Sequence, residues 1–485
     1  MNLLFKTIIS ILSKYLPTVL YILFISCSSD PSLEKDNNLV NVQVYIEGQG
    51  NVMPANGTYI KNNPITFEAT AAPGYYFDRW LGFDKNVENS KYEFILSRDL
   101  YLRAIFLPLP KLSDEVKVYE PKKIDPNPVF IIENGGTKAY LTSKTGEVLQ
   151  EWNFNSKLGN DIEMTPDGGL IGLFKSDEVS FSFGGYGGTL KKFSQNGNIE
   201  WEYELNSTTE LSHHDFELIP NGNVLILVWE CLNKEQAKSI GFNGTGPIYL
   251  EKIIEIDPVN QKVIWEWRSF DHLIQDFDSN ALNFGVISEH PEKINLNYHN
   301  SENGDLMHAN GLFYDKKRDM IYLSVNFYSE VWAIPHNYDT ITTKTDKGDL
   351  NFRFGNPEAY NSLGKRLFFN NHHPSLVTLN PETIDNFLIF MNGKKDNQSI
   401  VYEFILPSKF DLNPKEWTTP EEFWNFTESD LYYEKISGAL RLPNGNTLIC
   451  EGDYGYWEVT PQGDVVWKYE GKTTFWRGYV YPGLN

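Results

Sequence analysis

The stretch SGALRLPNGNTLICEGDYGYWEVTPQGDVVWKY, residues 437–469, decides the fold. An apolar run ends at the turn Pro443-Asn444-Gly445-Asn446, and a second apolar run follows through Cys450. A third run carries Trp457, and after Pro461-Gln462-Gly463-Asp464 a fourth carries Trp467. Asn-Gly and Gly-Asp turns between apolar runs are hairpin signals, so the stretch predicts four short antiparallel strands. One such sheet cannot bury both faces, and copies of it must stack.

Copies are present. Inner hairpins read MTPDGGLIGLF at 164–174 and LIPNGNVLILV at 218–228, matching RLPNGNTLICE at 441–451. Outer strands with a turn and a tryptophan read TGEVLQEW to Trp152, NGNIEWEY with Trp201, NQKVIWEW with Trp265 and Trp267, and QGDVVWKY with Trp467. Aromatic residues make up 14% of the 485-residue chain, a mix that favours strands over helical bundles. Inner hairpins near 161, 214, 308, 372 and 437, with the opening segment VFIIENGGTKAYLTSKTG, predict a six-bladed β-propeller over residues 128–485.

Three of these repeats begin with histidine: His214 in LSHHDFELIPNGNVLIL, His308 in LMHANGLFYDKKRDMIYLS and His372 in NNHHPSLVTLNPETIDNFLIF. If the repeats are blades around an axis, the three imidazoles converge on one central site. Two long connections, Ser269–Met307 and Ala333–Asn371, flank the histidine strands and are expected to form pocket walls or a lid. Strand alternation sends His213 and His373 to the opposite face in structural roles, although spacing alone leaves His372 and His373 both eligible as the reactive residue. His272 is expected to bind substrate or hold its loop; His290, His299 and His336 are expected at the surface.

Upstream, Lys6 and Lys14 precede the apolar run Val19–Ile25, and Ser26-Cys27 resembles a lipobox. Residues 1–26 therefore read as a lipoprotein signal, Cys27 as the lipidated residue and 27–39 as a polar tether, placing the protein in the cell envelope, lipid-anchored to a bacterial membrane. Residues 40–108 alternate as VNVQVYIEG and PITFEATAAP, with Trp80 after Gly74-Tyr75-Tyr76-Phe77. They resemble a small all-β repeat domain of bacterial surface proteins, with a spacer or adhesive role. Residues 109–127, rich in proline and charge, read as a linker. Cys231 and Cys450 lie in apolar strand-like runs and read as buried thiols. A net charge of −22 without any basic run argues against a nucleic-acid partner. No Cys/His spacing indicates a zinc site, and no cofactor is called for.

HHDFELIPNGNVLIL, FDHLIQDFDSNALNFG, HANGLFYDKKRDMIYLSVNFYSEVW, GDLNFRFGNPEAY and the 437–469 stretch together resemble the bacterial arylsulfotransferase family. The resemblance implies sulfuryl transfer from an aryl sulfate to a phenol, with no nucleotide donor or metal. It implies a histidine nucleophile at His372, assisting histidines at His214 and His308, and substrate contact from Asn310 in the His-x-Asn motif. Where better-studied members carry an arginine, this chain has Asn326; Arg353 either reaches the pocket in its place to bind substrate or makes a surface or structural ion pair. A non-catalytic ligand- or glycan-binding propeller and a polysaccharide lyase or hydrolase using the same histidines are the alternative readings.

Overall fold

The computed structural model describes residues 38–377, 386–410, 412 and 419–483. The signal segment 1–26, Cys27 and most of the tether therefore lie outside the described residues. The chain divides into two compact units at Leu109/Pro110.

In the first unit, Leu39–Glu47 pairs in parallel with Leu100–Pro108. Gly57–Ile60 and Tyr75–Leu81 complete that sheet, and Gly50–Met53, Pro64–Ala71 and Lys91–Ile95 form a second. Alternation along Leu39–Glu47 and Pro64–Ala71 turns one face inward around Trp80, which is fully buried among Phe67, Phe77 and Phe83.

The second unit is a set of antiparallel four-strand meanders, the unit predicted from residues 437–469. Ala309–Asp315 leads one through Phe352–Phe354, Asn371–Val377 leads the next through Glu421–Phe426, and Gly438–Arg441 leads a third through Val465–Glu470. Leu158–Met164 and Glu210–Leu218 lead two more, which the parallel pair Asn160 and His214 joins into one eight-stranded sheet. Val129–Glu133, Lys138–Thr142 and Val148–Asn153 receive their innermost strand from the C-terminal Phe475–Val480. Each innermost strand touches the next, and Phe475–Val480 returns against Leu158–Met164, so the arrangement is propeller-like and its ends are fastened together. The patterned tryptophans sit on outer strands, where Trp265, Trp267 and Trp467 are buried between neighbouring sheets.

Two expectations are corrected. The 109–127 segment is not merely a linker, because Val116–Tyr119 adds to Val465–Glu470 as a further outer strand and the buried Asp125 donates its N–H to Glu458. Of the two roles expected for the long connections, the lid is replaced by packed structure, while Asn370 of the second connection does line the cavity described below. Leu273, Ile274, Ile287, Ile294, Leu350 and Tyr360 pack the connections into the hydrophobic core. Cys231 and Cys450 are free thiols.

Candidate active site

The innermost strands that carry the histidines are not regular. His214, His308 and His373 have φ of 52°, 51° and 55°, and the strand register shifts between Ser212 and Phe216, Ala309 and Gly311, and His372 and Ser375. A left-handed residue in a strand makes a bulge, which interrupts alternation and re-aims the neighbouring side chains. By this means His214, His308 and His372 all line one cavity of about 540 Å³. Its other walls come from short loops, Asn134-Gly135, Gly184-Gly185 and Tyr433–Ile436, and from Asn326, Phe327 and Asn370.

His372 rather than His373 faces the cavity. Its Nδ1 lies 2.6 Å from Oδ1 of the buried Asn392. Asn392 Nδ2 donates to the carbonyls of Tyr433 and Ile436, each at 2.9 Å, which fixes the amide so that Oδ1 is the atom turned to the ring. His372 Nδ1 must therefore be the N–H donor, and Nε2 keeps its lone pair. Burial lowers the His372 pKa to about 3, with the hydrogen bond it donates to Asn392 opposing that shift and the charges of His308 and Arg477 reinforcing it. His373 instead accepts the Ala439 N–H at 3.1 Å, tying two inner strands together.

His308 is the opposite case. Burial alone would lower its pKa, but Asp305 Oδ2 lies 2.5 Å from its Nδ1, and with Glu251 nearby the pKa is raised above the ordinary imidazole value. Its ring stacks on Phe327 at 4.7 Å and meets His214 edge-on at 4.8 Å. Burial and the neighbouring His308, His213, His372 and Arg477 hold His214 well below the ordinary value. His213, expected on the opposite face, lies in the same buried network, with Nδ1 2.9 Å from His214 Nδ1.

Of the remaining expected residues, Asn326 lines the cavity, where its Oδ1 accepts from Asn370 and its Nδ2 donates to the Asn371 carbonyl. Asn310 does not line it. Fully buried, it donates to the same Asn371 carbonyl at 2.8 Å and so supports the strand that presents His372. Arg353 does not reach the site: it is fully buried, pairs with Glu330, donates to the carbonyls of Pro291 and Lys293, and lies over Tyr360. A guanidinium in the core needs such a counter-charge, and Glu330 supplies it. His272 holds its loop through Asp349 at 2.7 Å. His290 is exposed, whereas His299 is half-buried against Phe327 and His336 sits between Glu255 and Asp319.

Sequence reasoning missed Asn392, Asp305, Glu251 and Lys175. Asp305 stood three residues ahead of His308, a legible signal; Asn392 and Lys175 sit at strand ends with no motif around them. Lys175 lines the cavity with its Nζ 4.5 Å from the centre of the Tyr186 ring, its pKa lowered by burial and by Lys157. Lys394 and Lys435, also on the lining, both pair with Glu434, whereas among the described residues Lys175 has no carboxylate partner. Among the described residues no group of three or more His, Cys, Asp or Glu is placed to hold a metal ion.

Comparison with known proteins gives two family matches. Residues 40–108 match the divergent InlB B-repeat domain. No curated protein matches the chain. Similar solved structures include a protein of unknown function from Bacteroides caccae, with 12% identity over 73% of this chain and 98% of that one and a TM-score of 0.42. Others are a putative 6-phosphogluconolactonase from Bacteroides fragilis, with 10% identity, 75% and 100% coverage and a TM-score of 0.38, and the periplasmic gluconolactonase of Pseudomonas aeruginosa, with 12%, 73% and 99%, and 0.36. The second match, to the arylsulfotransferase profile, runs over residues 118–473 and so takes in every strand that presents a histidine to the cavity; this chain belongs to the arylsulfotransferase family.

Proposed function

We propose that the protein moves a sulfuryl group from an aryl sulfate to a phenolic acceptor by a ping-pong route through a sulfohistidine at His372, on the axis of six blades. The observation that carries this reading is one cavity shared by His372, pinned at Nδ1 by Asn392, and His308, whose Nδ1 lies against the Asp305 carboxylate. The Nε2 lone pair of His372 attacks sulfur as the bond from sulfur to the aryl oxygen breaks. The departing oxygen takes a proton from the flanking His214 and His308 pair. The acceptor phenol then gives up its proton to that pair and attacks sulfur, and the N–S bond breaks.

A sulfuryl group in flight spreads negative charge over three oxygens, and donors aimed at them favour the transition state, each by about 3 kcal/mol where such donors have been deleted. In this reading His308, as a cation, and the Asn326 amide, both on the cavity lining, take that role. Lys175 supplies the full positive charge that Asn326 lacks, in the place expected of Arg353.

The test is incubation with a chromogenic phenyl sulfate, with and without added phenol. Release that depends on the acceptor, a trapped sulfohistidine, and loss of both in His372→Asn are the expected results. Release without an acceptor would make it a sulfatase, and binding without release would make it a ligand-binding propeller. We infer also that Cys27 is lipidated and anchors the protein in the bacterial envelope, with small phenols as partners and no nucleic acid. Cys27→Ala should then leave the membrane fraction, and unchanged partitioning would overturn the anchor.

A further inference from the structure

Behind His214 stands a line of groups with no part in substrate contact. His213 Nε2 lies 3.0 Å from Glu251 Oε2, and His213 Nδ1 lies 2.9 Å from His214 Nδ1. All three side chains are buried, and the His213 ring lies flat on Trp229 with centroids 3.9 Å apart. The other oxygen of Glu251 accepts the Ala309 N–H at 2.7 Å, one residue after His308. A carboxyl and two imidazoles joined nitrogen to nitrogen form a continuous path ending at His214, which lines the cavity with Nε2 beside Gly185.

We propose that Glu251, His213 and His214 form a proton relay that serves as the acid and base of sulfuryl transfer, with Glu251 as the proton store. This rests on the sulfotransferase reading above. With the store filled, Glu251 donates to His213 Nε2, His213 Nδ1–H donates to His214 Nδ1, and His214 Nε2–H faces the aryl oxygen. As the bond between sulfur and that oxygen breaks, His214 Nε2 gives its proton to the oxygen. His214 Nδ1 takes the proton of His213 Nδ1, and His213 Nε2 takes that of Glu251. Both imidazoles end neutral, and one carboxylate has been created. The acceptor phenol reverses every shift, as it must when donor and acceptor are both phenols.

The relay answers an electrostatic problem. His214 is buried beside His308, His372 and Arg477, so an imidazolium there is disfavoured, and a lone His214 is a poor acid or base. Moving the charge to Glu251 places it as an anion next to the Ala309 N–H and near the His308 cation. Burial, with Asp305 adding to it, raises the Glu251 pKa well above the ordinary carboxyl value, as a group that holds the proton between turnovers requires. His213 is kept neutral by its burial, so it can pass a proton without storing one.

The test compares leaving groups in Glu251→Gln. The glutamine keeps the shape, its oxygen accepts the Ala309 N–H, and its amide still donates to His213, but it holds no transferable proton. Single-turnover release of a weakly acidic phenol should fall about 100-fold, within the range general acids contribute, and release of a strongly acidic nitrophenol much less. As pH rises, the wild-type decline in release of the weakly acidic phenol should exceed that of the nitrophenol, and in the variant the excess should vanish, leaving only the decline that loss of the His308 cation gives both. Equal losses for both leaving groups would assign Glu251 a structural role and the proton to His308. Independently of activity, a difference infrared spectrum of wild type minus Glu251→Gln at neutral pH should contain the carbonyl band of a protonated carboxylic acid. Its absence would overturn the relay, whereas absent aryl sulfate cleavage in wild type would overturn the sulfotransferase reading and leave the band to decide the proton store.

Discussion

At His372, one missed side chain decides the chemistry. Asn392 accepts from Nδ1 and so leaves a lone pair on Nε2, the atom that attacks sulfur in the proposed reaction. Asn392→Ala should lower the rate of sulfohistidine formation by about 10- to 100-fold, the 1–3 kcal/mol of a lost buried hydrogen bond, with little change in KM. Protonation states give the pH dependence. His372 must be neutral, true above about pH 3, and His308 must be cationic, true until pH rises through its raised pKa. Donor cleavage should therefore hold level from mildly acidic to neutral pH and decline on the alkaline side, as stopped-flow single turnovers would record. Lys175→Ala should raise KM for the aryl sulfate about tenfold or more, since a hydrogen bond to a charged group is worth about 1.5–3 kcal/mol. Arg353→Ala should act on stability instead, because its removal strands Glu330.

At the scale of the element, the bulged inner strand is the working part. The alternation rule failed at His213 because the left-handed His214 lies in a bulge of two extra residues between Ser212 and Phe216, putting both histidines into the site's network. The Gly184-Gly185 loop completes that wall. A methyl group at Gly185, where φ is 81°, would lie 2.1 Å from His214 Nε2. Gly222 has a comparable φ of 88° with nothing within 4 Å of the added carbon. Both alanine variants should lose about 1 kcal/mol from backbone strain. Gly185→Ala should in addition displace His214 and lose most of its turnover, while Gly222→Ala keeps it. Equal activity in the two would show that the loop does not shape the site.

At the scale of the whole molecule, the ring of inner strands is tied across its axis by one cation. Arg477, on the C-terminal strand, donates to both oxygens of Asp215, to Asp161 and to the Asn310 carbonyl, thereby joining four strands. Arg477→Met would leave Asp215 and Asp161 buried without a counter-charge. The expected cost is about 3–5 kcal/mol, read from the midpoint of denaturant unfolding. The repeating unit and its histidines were legible along the chain: turn residues and apolar runs are local signals, and the patterned tryptophans mark the outer strands because each sheet must cover the next. The family resemblance supplied the roles. It took the folded chain to show that His372 and not His373 faces the cavity, that Arg353 belongs to the core and Lys175 to the cavity lining, and that Asn392 and Glu251 stand behind the histidines. Those assignments depend on bulges and on contacts between residues far apart in the chain, such as Arg477 with Asp215. Neither alternation nor spacing along a single strand carries that information.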